Sequence, residues 1–390
     1  MPRILQLILA ACALLAGAPA LAQVTPTPPA QVAGSHGVDF EYVQDRQILF
    51  PILVNGRPAE AWLDSGASAT VLDAAFAREL GVELLDVRVR AQGVAGRVPG
   101  VRLAGADLQV GDLALPGRQV AVMDLAAITR VVQRPVQVIL GRDIFDNAVV
   151  DIDFAARQIT FLPRETFEPP PGEPLPLTAS GSLRSFPIAI GGIHTAAILD
   201  LGNAGALLVD RAFADGHSLL AGRRASTQLA VGADGPRESA IFSLDDVRVG
   251  GMSFNGVPTT ATTGLSSRAP ANVGLALLSR FHLTVDFAGD RLWMQPYPKA
   301  EAAAFRKNRA GLSLVAEGGH LMVTHVAPGS PALAAGWRIG DMILAVDGRT
   351  IGPDYGATEL SRWTGQAAGR VVALTMVDGS RRLLRLADYY

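Results

Sequence analysis

Short segments in which apolar and polar residues alternate, each closed by a Gly-containing turn, recur from residue 37 to residue 297. A period of two marks half-buried strands, so this region is expected to be mainly β. Ile48 to Val54 and Glu60 to Leu63 flank Asn55 and Gly56, a dipeptide suited to a two-residue hairpin turn. The same signal recurs at Gly191 and Gly192, at Gly111, and at Gly250 and Gly251. Before residue 309, helix-compatible spacing is confined to Asp73 to Leu80, Asp210 to Asp215, the segments just after Gly141 and Gly274, and Lys299 to Lys307.

The pattern occurs twice. Phe50 to Asp64 and Phe186 to Asp200 align without gaps and share seven of fifteen residues, where chance gives about one. A second ungapped match pairs Leu140 to Pro163 with Val273 to Pro296, aligning Gly141 with Gly274, Asp153 with Asp286 and Phe154 with Phe287. The interval from Asp to Gly is 77 residues in the first copy and 74 in the second, which implies duplicated domains rather than a short solenoid repeat.

Proline sets the breaks. Pro169, Pro170, Pro171, Pro174 and Pro176 exclude a central strand or helix interior between Arg164 and Ser180, and Pro296 and Pro298 close the second copy. The expected order is a signal at 1–22, a Pro-rich leader at 23–36, lobes at 37–163 and 181–297 with a linker at 164–180, and a last domain at 309–390.

Composition narrows the chemistry. Lys plus Arg number 34 against 36 Asp plus Glu, so no basic footprint for nucleic acid is present. Arg3, the apolar run to Ala18 and the Ala20, Leu21, Ala22 triplet read as an export signal cleaved after Ala22, with a periplasmic or secreted destination. A lipoprotein reading at Cys12 is disfavoured because apolar residues continue well past it. Cys12 is the sole cysteine, so the mature chain would carry neither disulfides nor thiolate-based zinc, and no later apolar stretch would span a bilayer. No metal or cofactor is expected.

Each copy ends its hairpin in an Asp followed two residues later by Gly: Asp64, Ser65, Gly66 and Asp200, Leu201, Gly202. One such triplet is a common turn. Two, on lobes packed about a pseudo-twofold axis, would face each other as an isologous contact does. Carboxyls about 3 Å apart cannot both ionise cheaply, so the pair would share a proton, one acting as acid and the other as base on a water between them.

Leu63, Asp64, Ser65, Gly66 and Ala67 with Ile139, Leu140 and Gly141, and Asp200 and Gly202 with Asn272, Val273 and Gly274, resemble the active-site elements of pepsin-like and retroviral-type aspartic proteases of bacterial, two-lobed form. The resemblance covers about residues 37 to 297. It implies two pseudo-twofold-related retropepsin-like β-barrel lobes, Asp64 and Asp200 as catalytic residues, the neighbouring loop residues as support, and a peptide or protein as substrate. It also implies flaps, for which Ala91 to Arg97 and Val231 to Gly235 are candidates. The second loop departs from the pattern: Leu201 stands where a bracing hydroxyl is usual, Asn203 where a small residue is usual, and Asn272 where an apolar one is. Trp62, Trp293 and Phe287 are expected in lobe cores.

Farther along, Val326 to Ala332, Ala335, Gly336 and Gly340 to Gly348 resemble a PDZ domain. Ser330 is placed to cap a helix from Pro331 to Ala335, and Asp347 and Gly348 to turn a hairpin. The resemblance puts a carboxylate-binding loop at Gly311, Leu312, Ser313 and Leu314, which would take the C-termini of proteins or peptides. No His-Glu-x-x-His, Gly-x-Ser-x-Gly or phosphate loop is present. Two readings follow: an exported aspartic endopeptidase, or a catalytically inactive peptide-binding or scaffolding protein using the same cleft and groove.

Overall fold

Asn55 and Gly56 adopt left-handed φ values of 49° and 74°, the geometry a two-residue hairpin turn requires, and they join strands Gln47–Val54 and Arg57–Leu63. The computed structural model in which this is seen describes residues 31–32, 36–43, 46–85, 91–92, 97–98, 100–132, 134–232, 235–265 and 268–390. The export signal, Gly93 and Gly96 of the first candidate flap, and residues 233–234 of the second lie outside the described residues. Around them, Ala91–Gln92 pairs with Arg97–Val98, and Ala225–Gly232 with Gly235–Leu244, both antiparallel.

The internal repeat is a repeat of strand register. Phe50 lies opposite Ala61 in the first copy and Phe186 opposite Ala197 in the second. A short third strand runs parallel to each hairpin, pairing Leu140 with Leu63 and Val273 with Leu199. Both expected helical segments form, each with an N-cap: Asp73 accepts from Ala75 and Phe76 ahead of helix Ala74–Leu80, and Asp210 from Ala212 ahead of helix Arg211–Gly216. Helices Arg142–Asn147 and Leu275–Leu278 follow Gly141 and Gly274. Helix Ala126–Val132 was not foreseen, and Lys299 to Lys307 forms turns rather than a helix. There Lys299 takes a left-handed φ of 64°, which a right-handed helix does not admit, and the carbonyls of Ala300 and Ala303 accept from the Arg280 guanidinium.

The two copies share a sheet. Hairpin Val149–Asp153/Gln158–Leu162 of the first and hairpin Phe281–Asp286/Arg291–Pro296 of the second meet edge to edge, with Val150 opposite Val285 and Ile152 opposite Leu283. Leu175–Pro176, in the proline-rich stretch, adds an edge strand. Pro176 is tolerated there because an edge position does not use its missing N–H. Trp293 donates to the Gly172 carbonyl, so the stretch straps the sheet.

One apolar cluster runs through both lobes and this sheet, and Phe145 stacks on Phe287 across the boundary at 4.9 Å. Trp62, Trp293 and Phe287 are all buried. Among the described residues no helix is long and apolar enough to cross a membrane.

The last domain is a separate sheet in the order Leu312–Glu317, His320–Val326, Met342–Val346, Val371–Met376, Arg381–Arg385, around its own core. Ser330 caps helix Pro331–Ala334, and Asp347 and Gly348 turn with φ of 49° and 79°. It docks on the second lobe: Ser226 Oγ donates to the Pro328 carbonyl at 2.6 Å, Thr227 Oγ1 meets His325 Nε2 at 2.9 Å, and Ile241 packs with Ala327, Tyr389 and Tyr390.

Candidate active site

The register above ends both hairpins at the same place, so Asp64 and Asp200 leave their strands at equivalent points. The Asp64 amide donates to the Leu140 carbonyl at 2.9 Å, and that of Asp200 to Val273 at 3.1 Å. The chain then turns back under each carboxyl: Gly66 N–H donates to Asp64 Oδ1 at 2.8 Å, Gly202 N–H to Asp200 Oδ1 at 2.9 Å, and Asn203 N–H to the same oxygen at 3.0 Å. Each helix after the third strand is tied to its loop, Arg142 N–H to the Ala67 carbonyl and Leu275 N–H to that of Asn203.

These two loops meet. The two carboxyls are close enough to interact, and both are shielded from solvent. Each lies flat on the glycine of the opposite loop: a Cβ on Gly66 would fall 2.6 Å from the Asp200 carboxyl, and one on Gly202 closer still to that of Asp64. Gly141 and Gly274 serve a related purpose one layer back, pressed against the loop backbone at Ala69 and at Asn203 and Gly205. Any side chain at these four positions would push the loops apart.

Ser65 spans the two lobes. Its hydroxyl donates to the Leu199 carbonyl at 2.8 Å and accepts from the Leu201 amide at 3.0 Å. Leu201 returns no such bond. Its side chain is buried in the main apolar cluster instead, so the brace is one-sided.

The two Asn departures are joined. Asn203 Oδ1 accepts from Gly205 N–H at 2.8 Å, Asn203 Nδ2 donates to Asn272 Oδ1 at 2.8 Å, and Asn272 Nδ2 donates to Asp200 Oδ2 at 2.5 Å. The equivalent positions beside Asp64 are Ala67 and Ile139, whose side chains offer no donor. Asp64 Oδ2 is buried without an amide or hydroxyl donor among the described residues.

Burial and then the charge of Asp200 hold the Asp64 carboxyl well above the usual carboxylate range. Burial raises Asp200 too, but donors from Asn272, Gly202 and Asn203 oppose it.

Sequence reasoning missed Thr70 and Asp143. Thr70 Oγ1 donates to Asp143 Oδ1 at 2.7 Å and accepts from Gly141 N–H at 3.2 Å, bracing the first loop from behind. Asp143 follows Gly141 by two residues, which was the available signal. Burial pushes its carboxyl upward, against the Thr70 bond and the Arg118 charge.

The loop Gly311, Leu312, Ser313 and Leu314 is buried at the start of the last domain's first strand. Asn308 Oδ1 accepts from Ala310 and Gly311 N–H, at 3.1 and 3.0 Å. The Gly311 amide is therefore engaged internally, and a ligand carboxylate would have to displace Asn308 to reach it.

Residues 50–144 match the aspartyl protease family model, and residues 322–377 match that of the PDZ domain. A stretch of 105 residues, 26% of this chain, is 37% identical to the UBA domain-containing protein Mud1 of Schizosaccharomyces pombe. It spans 28% of that protein's length. The protease match falls on the first copy, so the second loop is tied to it by the internal repeat and the shared register.

Proposed function

This chain carries an aspartyl protease domain and a C-terminal PDZ domain, and from that premise we propose that it is an exported aspartic endopeptidase with Asp64 and Asp200 as its catalytic pair. The observation that carries the reading is the apposition of two buried carboxyls on equivalent loops, each against the glycine of the other loop. Such a pair holds one proton, so an acid and a base stand side by side without a metal.

The chemistry balances on the pair alone. A water attacks the amide carbonyl carbon, giving one proton to the ionised carboxylate while the protonated carboxyl supplies another to the carbonyl oxygen. Collapse of the resulting gem-diol breaks the C–N bond, protonates the leaving amine from the acid just formed, and returns the diol proton to the other carboxylate. Ser65, Gly66, Ala67, Gly202, Asn203, Gly141 and Gly274 act by holding the loops.

The PDZ domain binds the C-terminus of a substrate or partner in this reading. A peptide strand would add along Leu312–Glu317, with its carboxylate at the Gly311 loop in place of Asn308. Holding a substrate beside the cleft raises its local concentration at the dyad. Export rests on the basic start, apolar run and Ala-x-Ala triplet. N-terminal sequencing of the mature chain from the periplasm or medium should begin at Gln23.

The test is cleavage of a peptide library by wild type, Asp64→Ala and Asp200→Ala from about pH 3 to pH 8. Cleavage by wild type with loss in both variants supports the dyad, and cleavage surviving both substitutions removes it. Complete burial of both carboxyls and the missing hydroxyl at Leu201 favour a second reading, a peptide-binding protein without catalysis. Retained peptide binding with no wild-type cleavage at any pH selects it.

A further inference from the structure

Two identical groups in a symmetric setting would share their proton equally. Here the setting is asymmetric, and the direction of the asymmetry can be read from a backbone amide. Gly205 N–H can only donate, so the atom of the Asn203 amide facing it, 2.8 Å away, is the oxygen. That leaves the Asn203 NH2 toward Asn272, 2.8 Å away, where it must meet the oxygen of that amide. The NH2 of Asn272 is then the group facing Asp200 Oδ2, at 2.5 Å. The chain of three donors has one consistent orientation, and it ends by presenting N–H to a carboxyl oxygen that consequently serves as an acceptor. A proton on that oxygen would point at a second donor.

Nothing of the kind stands beside Asp64. Ala67 occupies the position equivalent to Asn203 and Ile139 the position equivalent to Asn272. Asp64 Oδ2 is buried without an amide or hydroxyl donor among the described residues.

We infer that Asn272 is a positioning residue that fixes the polarity of the pair: it holds Asp200 as the ionised partner, the base toward water, and leaves the proton on Asp64, the acid toward the carbonyl. This deepens the protease reading and rests on it for the chemistry, though not for the titration. Asn203 contributes by orienting the Asn272 amide. The two departures from the family pattern are thus parts of one donor chain rather than separate losses. Burial raises both carboxyls, and the donors on Asp200 hold it back relative to Asp64, in the same sense.

The experiment compares wild type, Asn272→Ile, which installs the residue present at the equivalent position of the first copy, and Asn203→Ala, which leaves the Asn272 donor in place but unanchored. Two readouts are taken. One is the carboxyl 13C titration of aspartate-labelled protein, which needs no activity. The other is the pH profile of kcat/KM on a peptide.

The lower titration of the pair should rise by about one unit in Asn272→Ile, and less in Asn203→Ala. The acid limb of kcat/KM should move with it, and kcat at its optimum should fall about tenfold. A folded Asn272→Ile whose lower titration and acid limb coincide with those of wild type overturns the inference and leaves the protease reading standing. If Asn272→Ile does not fold, Asn203→Ala decides by the same titration. A titration that shifts in Asn272→Ile while wild type cleaves nothing supports the positioning role and removes the protease reading.

Discussion

Gly66 and Gly202 are glycine for a reason that their own loops do not reveal: the space a Cβ would need is filled by the carboxyl of the opposite lobe. Gly202→Ala should therefore displace Asp64 and cost about 100-fold in kcat, checked by steady-state kinetics beside a Tm measurement. Asp64 illustrates the linkage. Its folded pKa lies well above the unfolded value, through burial first and the Asp200 charge second. The folded state thus keeps a proton that the unfolded chain releases, and stability falls as pH rises from the unfolded pKa of about 4 through the folded one. Asp64→Asn should abolish cleavage yet raise Tm by several degrees at pH 7, with the gain shrinking toward pH 4. Ser65→Ala works in the opposite direction. It strips partners from the Leu199 carbonyl and the Leu201 amide, both buried, and should cost about 2 kcal/mol in denaturant unfolding.

The central element is the shared sheet, and its polar contacts cross between lobes. His282 Nε2 meets Asp151 Oδ1 at 2.7 Å, and its pKa is raised chiefly by that bond. A raised His pKa contributes stability that is full below the unfolded value of about 6.5 and is lost as pH rises through the folded one. Wild type should therefore lose Tm between pH 6 and pH 8, and His282→Gln should lose less across that window. Arg164 binds the buried Asp286 at 3.3 Å while donating to the Asp146 and Phe145 carbonyls. Burial pushes Asp286 up, but Arg291, the Gly289 amide and Arg164 together hold it below the usual range. Arg164→Ala should destabilise by on the order of 2 kcal/mol, with Arg291 limiting the loss. Such pairing was illegible beforehand. The repeat of Asp153 and Phe154 at Asp286 and Phe287 marked two equivalent hairpins, but edge-to-edge contact between them joins residues more than a hundred positions apart.

For the whole molecule, the PDZ domain is docked on the hairpin of the second lobe that carries a candidate flap. Ile241 is the apolar anchor on that hairpin, packed with Ala327, Tyr389 and Tyr390. Ile241→Asp should release the domain, seen as a larger radius of gyration by X-ray scattering and faster proteolysis between residues 297 and 309. What the chain determined by itself is local. Hairpin turns at Asn55 and Gly56 and at Asp347 and Gly348, caps at Asp73, Asp210 and Ser330, and the alternation that makes each lobe β all depend on near neighbours in sequence. The duplication added one long-range fact, that Asp64 and Asp200 occupy equivalent places. Tertiary structure decided the rest. It joined Asn272 to Asp200 and to Asn203, and set Ser65 across the lobe boundary. Each of these is a hydrogen bond between groups whose partner is chosen by how packed surfaces meet, and periodicity carries no record of that.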